Sequence, residues 1–274
     1  ILLDTGLSEE REELEAALLE NGLTPAGVLC SHAHIDHCGN SGYFQQKYHI
    51  PAALSAPEAA ICQNLLTLKC YFLTLSPAMV EQESSCMIHT PDVLLPPQDG
   101  PFSFAGAEFT LIHTPGHSPG HVCTVTPDGV CYLADAVLSH ELLGAKLPYN
   151  LSMAMCMESR EKLRGLPYDT YIMAHHGVCT GEELPHLIDE NQALIRTRAE
   201  EIRSLITHPM TSSQIDAAVC AYYQLFTHKP NRALRFERNI CFFVEYLVDS
   251  GLLEVRCRGG VARYCPPSSK TAAQ

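Results

Sequence analysis

Three histidines and an aspartate fall within six residues, His32-Ala33-His34-Ile35-Asp36-His37, and no other feature constrains the chain so tightly. The run follows Gly27-Val28-Leu29-Cys30, a short apolar stretch that reads as a buried strand delivering Ser31-His32 into a loop. Imidazole and carboxylate donors converging from one loop suit zinc, and also iron or manganese. The competing reading is a polar loop with incidental histidines, or a helix using their i, i+3 spacing. Against it stands density, because 14 histidines in 274 residues would scatter far more thinly.

The pattern recurs. Thr114-Pro115-Gly116-His117-Ser118-Pro119-Gly120-His121 follows the alternating segment Phe102 to Pro115, which reads as a hairpin about Gly106. Val122–Val125 and Val130–Leu133 flank the turn Pro127-Asp128-Gly129, and Asp135 ends the second of these strands. A further strand, Tyr171–Ala174, runs into His175-His176-Gly177. Ligand-competent side chains at four strand ends are how a sheet builds a site along one edge. Helices are expected over Glu9–Asn21, with Leu14, Leu18 and Leu19 on one face, over Asn40–Tyr48 and over Ser152–Leu163. Residues 57–99 are irregular and suit a lid-like insertion, in which Tyr71, Phe72, Leu73 and Met79 either line an apolar pocket or pack the insertion onto the body.

The motifs, in the order Leu2-Leu3-Asp4-Thr5-Gly6, His32 to His37, Thr114 to His121, Leu133-Ala134-Asp135 and His175-His176-Gly177, resemble those of the metallo-β-lactamase superfamily of hydrolases. The resemblance implies an α/β fold, the αββα sandwich, over residues 1–183, and a site for two divalent metal ions, zinc first, with iron or manganese as alternatives. It implies that His32, His34 and His117 bind one ion, that Asp36, His37 and His176 bind the other, and that Asp135 bridges them. Asp4 matches the first motif and is expected to orient the cluster. The last motif departs from the family's Pro-Gly-His-Gly turn. We place its ligand at His176, because Gly177 follows, with His175 as the alternative. His113 and His121 are expected to pack or hydrogen-bond. The implied chemistry is attack by a hydroxide held between two metals, with Asp36 and Asp135 as the catalytic carboxylates.

After Gly181 the texture changes. Three helices, Leu184–Ile206, one capped at Thr211-Ser212-Ser213-Gln214, and Ala233–Asp249, precede a hairpin about Gly259-Gly260. That is the order of a winged helix over 184–267, followed by a polar tail, 268–274. The net charge of −13 is uneven: residues 1–183 carry 7 basic and 22 acidic side chains, the remainder 11 and 9. An acidic body repels phosphate backbones, so wholesale nucleic-acid binding is disfavoured for residues 1–183, while the remainder, at +2, is not excluded on charge. The small acyl substrate expected instead comes from the resemblance. The third helix is too apolar to read DNA and suits packing on the hydrolase body or in a homodimer. Thirteen cysteines without a C-x-x-C pair fit reduced thiols in the cytoplasm, and no apolar run is long enough to span a membrane. The chain opens at Ile1 on a strand, as though N-terminal strands precede it. Thr114 to His121 is similar to the same motif in hydroxyacylglutathione hydrolases and acyl-homoserine lactonases, which implies cleavage of a thioester, ester or lactone. A metal-dependent ribonuclease using the winged helix is the alternative, and a metal-sensing DNA-binding regulator the third reading.

Overall fold

The structure is a computed structural model that describes residues 1–268. Two sheets carry the fold. Strands β1 (Leu2–Leu3), β2 (Val28–Leu29), β3 (Ala52–Leu54) and β4 (Val93–Leu94) form a parallel sheet in sequence order. Strands β5 (Gly100–Phe104), β6 (Ala107–His113), β7 (Val122–Val125), β8 (Val130–Ala134), β9 (Thr170–Met173) and β10 (Gly177–Thr180) form a second sheet, antiparallel except where β8 runs parallel to β9. Leu29, Ala53 and Leu95 from the first meet Phe104, Phe109, Leu111 and Val122 from the second. Those residues are the filling of the sandwich.

Helices cover both outer faces. α1 (Arg11–Glu20), the one-turn α2 (Ile35–Cys38), α3 (Ser41–Tyr48), α4 (Ala56–Cys62), α5 (Leu65–Tyr71) and α6 (Pro77–Ser84) lie on the parallel sheet, packing Leu18, Phe44, Ile61, Leu68 and Val80 with Val28 and Leu54. On the other side α7 (Met153–Leu163) and the start of α8 (Leu184–Leu205) bring Leu163, Leu184, Leu187 and Ile188 onto Cys131, Leu133 and Tyr171. The αββα order expected from the motifs is therefore present. Three local expectations need correction. Leu19 does not share the buried face of α1, being 81% exposed, because at 100° per residue it sits one step past Leu18. The second half of the histidine run is not loop but α2, one turn starting after His34. Residues 57–99 are more than a lid, since they supply β4 and put Ile61, Cys62, Leu68 and Met87 into the core.

Beyond α8 come α9 (Ser212–Tyr223), with the expected cap at Thr211, α10 (Pro230–Asp249), and the hairpin β11 (Glu254–Arg258) and β12 (Val261–Cys265). Helices and hairpin follow the order read from the sequence, but their core is shared. Ile195, Ile202, Ile215, Phe242, Phe243 and Leu247 pack with Met153 of α7 and with Leu147, Tyr149 and Leu151 before it. The expected boundary at 183/184 thus opens a single helix whose first half serves the sandwich and whose second half serves the C-terminal unit. Among the described residues no helix is long and apolar enough to cross a membrane, and all thirteen cysteines are unpaired. The polar tail expected after 267 lies, beyond Ser268, outside the described residues.

Candidate metal centre

The strand ends converge on one edge of the sandwich. His32 follows β2, and its ring is fully buried, with Nδ1 within 2.9 Å of Ser31 Oγ. That leaves Nε2 facing inward, 2.8 Å from His34 Nδ1. His117 Nε2 reaches the same point from the loop after β6, 3.0 Å from His34 Nδ1 and 3.2 Å from Asp135 Oδ2. Asp135 leaves β8 at an irregularity where Ala134 takes a left-handed conformation (φ 46°), which turns the carboxylate inward. These four residues offer one ligand atom each, all within 4.8 Å of one another.

A second group stands beside it, formed by Asp36, His37 and His175. His37 Nδ1 is 2.8 Å from Asp4 Oδ2, so its tautomer and orientation are set from behind, and Nε2 points at Asp135 Oδ2 across 3.4 Å. His175 Nε2 lies 3.3 Å from Asp36 Oδ2 and 3.5 Å from Asp135 Oδ1. The expectation of His176 is corrected here. The β9–β10 turn is Ala174-His175-His176, and His176 takes its left-handed position (φ 56°), which carries its side chain into solvent. The residue before it faces the site. The structure thus brings His32, His34, Asp36, His37, His117 and Asp135 together, adds His175, and leaves His176 outside.

Behind these donors lies a shell that the motifs reveal only in part. Asp4, itself at φ 62°, accepts from the Ser31 amide, the Ser31 hydroxyl and Tyr132 Oη at 2.7 Å each, besides facing His37. His121 is no ligand: Nδ1 meets Thr114 Oγ1 at 2.8 Å, and Nε2 accepts the Asp135 amide at 3.2 Å. His113 Nε2 donates to the Pro96 carbonyl at 2.8 Å, away from the cluster. Gly116 (φ 132°) lies against the backbone of Cys156, where any Cβ would collide, so the turn that aims His117 requires glycine.

Sequence reasoning missed Glu58. It is fully buried at the start of α4, and its carboxylate accepts the Ala33 amide (2.8 Å), the Ser118 hydroxyl (2.6 Å) and the Gly120 amide (2.6 Å). One side chain therefore ties the loop of His32 and His34 to the loop of His117. Tyr71 and Tyr149 were also not tied to the centre. Tyr71 Oη lies 2.5 Å from His34 Nε2 and 2.7 Å from Tyr149 Oη, and the Tyr149 ring packs edge-on against His34 and His117. Only the aromatic character of 71–73 hinted at this.

The electrostatics favour a cation. Burial, reinforced by the neighbouring imidazoles, holds His32 well below its ordinary pKa and His121 at about 3, so these rings are neutral. Burial works against ionised Asp135, but His117, His175 and His37 outweigh it and hold the carboxyl well below the usual range. Neutral His32 and His34 with the ionised carboxylates are donors that divalent transition metals take. At His175 and His37 the balance is reversed. Asp135, with Asp36 at His175 and Asp4 at His37, outweighs burial and raises the pKa of these two rings, His175 to about 10, so each would give up a proton to an incoming ion. His37 Nε2 is buried with no hydrogen-bond partner, a polar atom that a bound ion would satisfy. The residues fit two ions.

The family model described as the metallo-beta-lactamase superfamily matches residues 1–175. The chain belongs to the metallo-beta-lactamase superfamily. Among similar proteins, the probable metallo-hydrolase YqgX of Bacillus subtilis (strain 168) is 27% identical over 175 residues, 61% of this chain and 76% of that one. A hydroxyacylglutathione hydrolase of Rhodopseudomonas palustris (strain HaA2) is 24% identical over 195 residues, 70% of this chain and 65% of that one. Of solved structures, a metallo-beta-lactamase family protein from Thermus thermophilus superposes with a TM-score of 0.70, covering 97% of this chain and 89% of its own at 22% identity. That likeness is one of fold, and it runs through the C-terminal helices as well as the sandwich.

Proposed function

We propose that the chain hydrolyses an acyl bond, a thioester, ester or lactone, with two divalent ions, zinc foremost, held in the cluster. His32, His34 and His117 would hold one ion, Asp36, His37 and His175 the other, and Asp135 both. The observation that carries the reading is the position of Asp135, with one carboxylate oxygen toward His117 and His37 and the other toward His175. Similarity to hydroxyacylglutathione hydrolases supports the acyl class. When bound, two divalent ions activate water at neutral pH and polarise the oxygen that it attacks.

The protein's own part is positional. Asp36 stands on the open side of the cluster, 35% exposed, where Oδ2 can hold or pass a proton while His175 fixes its orientation. Asp4 and Glu58 keep the two ligand loops in place, so that little reorganisation accompanies the reaction. Tyr71 and Tyr149 close the opposite side, and with Phe242, whose ring lies 5.7 Å from that of Tyr149, they shield a reacting acyl group from bulk water. The partner is thus a small acyl compound.

The test is a side-by-side rate measurement of the metal-loaded protein on thioester, lactone, β-lactam and phosphodiester substrates. Thioester or lactone should be turned over fastest. Asp135→Ala should lower that rate by more than about 100-fold, since even residues that only support ligands typically cost 10–100-fold. A phosphodiester as the preferred substrate would contradict the acyl reading.

A further inference from the structure

The most unusual charge distribution lies beside the metal centre. A cleft of about 900 Å³ opens between the N-terminal half of α10, the segment Ala145–Leu147 and Glu83 of α6. Lys146, Lys229, Arg232, Arg235 and Arg238 line it, five of the 18 lysines and arginines of a chain whose net charge is −13. His228 adds a titratable ring. The one carboxylate on the lining, Glu83, is taken by Arg235 at 2.9 Å. Like charges gathered in a concave wall repel one another, and a bound anion relieves that cost.

One aromatic ring, Tyr149, stands between Arg238 of the cleft and the histidines of the centre. The Arg238 guanidinium sits over the Tyr149 ring at 4.4 Å, and that ring also packs edge-on against His34 and His117, at 5.0 and 5.2 Å between centroids. Arg238 is half-buried, donates only to Asn239 Oδ1 at 3.3 Å, and pairs with no carboxylate among the described residues. An unpaired guanidinium held at the inner end of a basic cleft is suited to a planar fork of anionic oxygens.

We propose that this cleft is the subsite for a phosphate-bearing carrier of the acyl group, so that the substrate is a thioester whose thiol portion ends in a phosphate or pyrophosphate. The proposal rests on the acyl-hydrolase reading. The acyl end sits at the metal centre, the linking chain passes Tyr149, and the phosphate meets Arg238, Arg235 and Arg232. The size of the cleft and the −13 charge of the chain favour a small phosphorylated tail over a polyanion.

Two measurements on the metal-loaded full chain separate the subsite from the reading beneath it. Inorganic pyrophosphate, titrated calorimetrically, should bind wild type saturably and weaken at raised salt. The affinity should fall at least tenfold in Lys229→Ala/Arg232→Ala, two exposed side chains remote from the metal ligands. Pyrophosphate held only at the metal centre would bind the variant undiminished, and that result overturns the subsite whatever the enzyme hydrolyses. The second measurement compares acyl-pantetheine with acyl-4′-phosphopantetheine, which differ by one phosphate. The phosphorylated thioester should be preferred at least tenfold in kcat/KM by wild type, and the preference should collapse in the variant. Equal kcat/KM for the two in wild type overturns the proposal. If neither thioester is cleaved, the proposal falls even where pyrophosphate still binds the cleft, while the acyl-hydrolase reading stands or falls by the lactone and ester rates. Single-stranded RNA displacing pyrophosphate at a hundredfold lower concentration would overturn it in favour of a nucleic acid.

Discussion

His175 and His176 are neighbours in sequence, yet one left-handed residue sends their side chains to opposite sides of a turn. His175→Ala should remove one ion and most activity, whereas His176→Ala should retain both ions and near wild-type turnover. Metal content with kcat for the two variants decides it, and the reverse pattern would return the ligand to His176. The sequence could not resolve this pair, because both are histidines and only the backbone geometry of the turn separates them. The other donors were legible because they recur at strand ends in a fixed order. Glu58 was not legible, since a lone carboxylate in Ala-Pro-Glu-Ala-Ala looks like a helix surface until the fold buries it. Its acceptor atoms serve three donors, and Glu58→Gln turns an amide NH2 toward one of them. Leaving one buried donor unmet costs about 1–3 kcal/mol, so thermal unfolding should move down by several degrees. An unchanged Tm would remove Glu58 from its supporting role.

At the scale of elements, the sequence pattern located α1, α3, α7 to α10 and most strands of the second sheet within a few residues, but not α2, α4 to α6, β4 or β10. Nor did it show which element each face would meet. The apolar run of α10 was read as a packing surface rather than a DNA reader, and in the structure Ile240, Phe242, Phe243, Val244 and Leu247 are buried against α8, α9 and α7. Phe243 is fully buried, and Phe243→Ala should cost about 3–5 kcal/mol, read as a lowered midpoint in urea with little change in slope. A cost below about 1 kcal/mol would mean that α10 packs far more loosely. Residues 57–99 resisted sequence reading for a related reason: short helices broken by prolines carry no long period, so their apolar residues could not be assigned to core or pocket. They do both. Leu68 enters the core, while Tyr71, three residues on, crosses to His34.

The whole molecule joins its two parts through α8, whose successive halves complete two different cores. The C-terminal helices therefore cannot be removed without uncovering Met153 and Tyr149, and with them the wall of the metal centre. A boundary at 183/184 was expected from a change of texture, whereas the sharing of the core was not expected, because one amphipathic helix can face two partners along its length without any break in pattern. Everything proposed for the molecule depends on the cluster holding two ions. The most direct measurement is elemental analysis of the full chain after metal loading and desalting, alongside Asp36→Ala, which removes a donor of the second group only. Two transition-metal ions per wild-type chain and one per variant chain are predicted. Trace metal in the wild type, or a single ion unaffected by the loss of Asp36, would contradict the account.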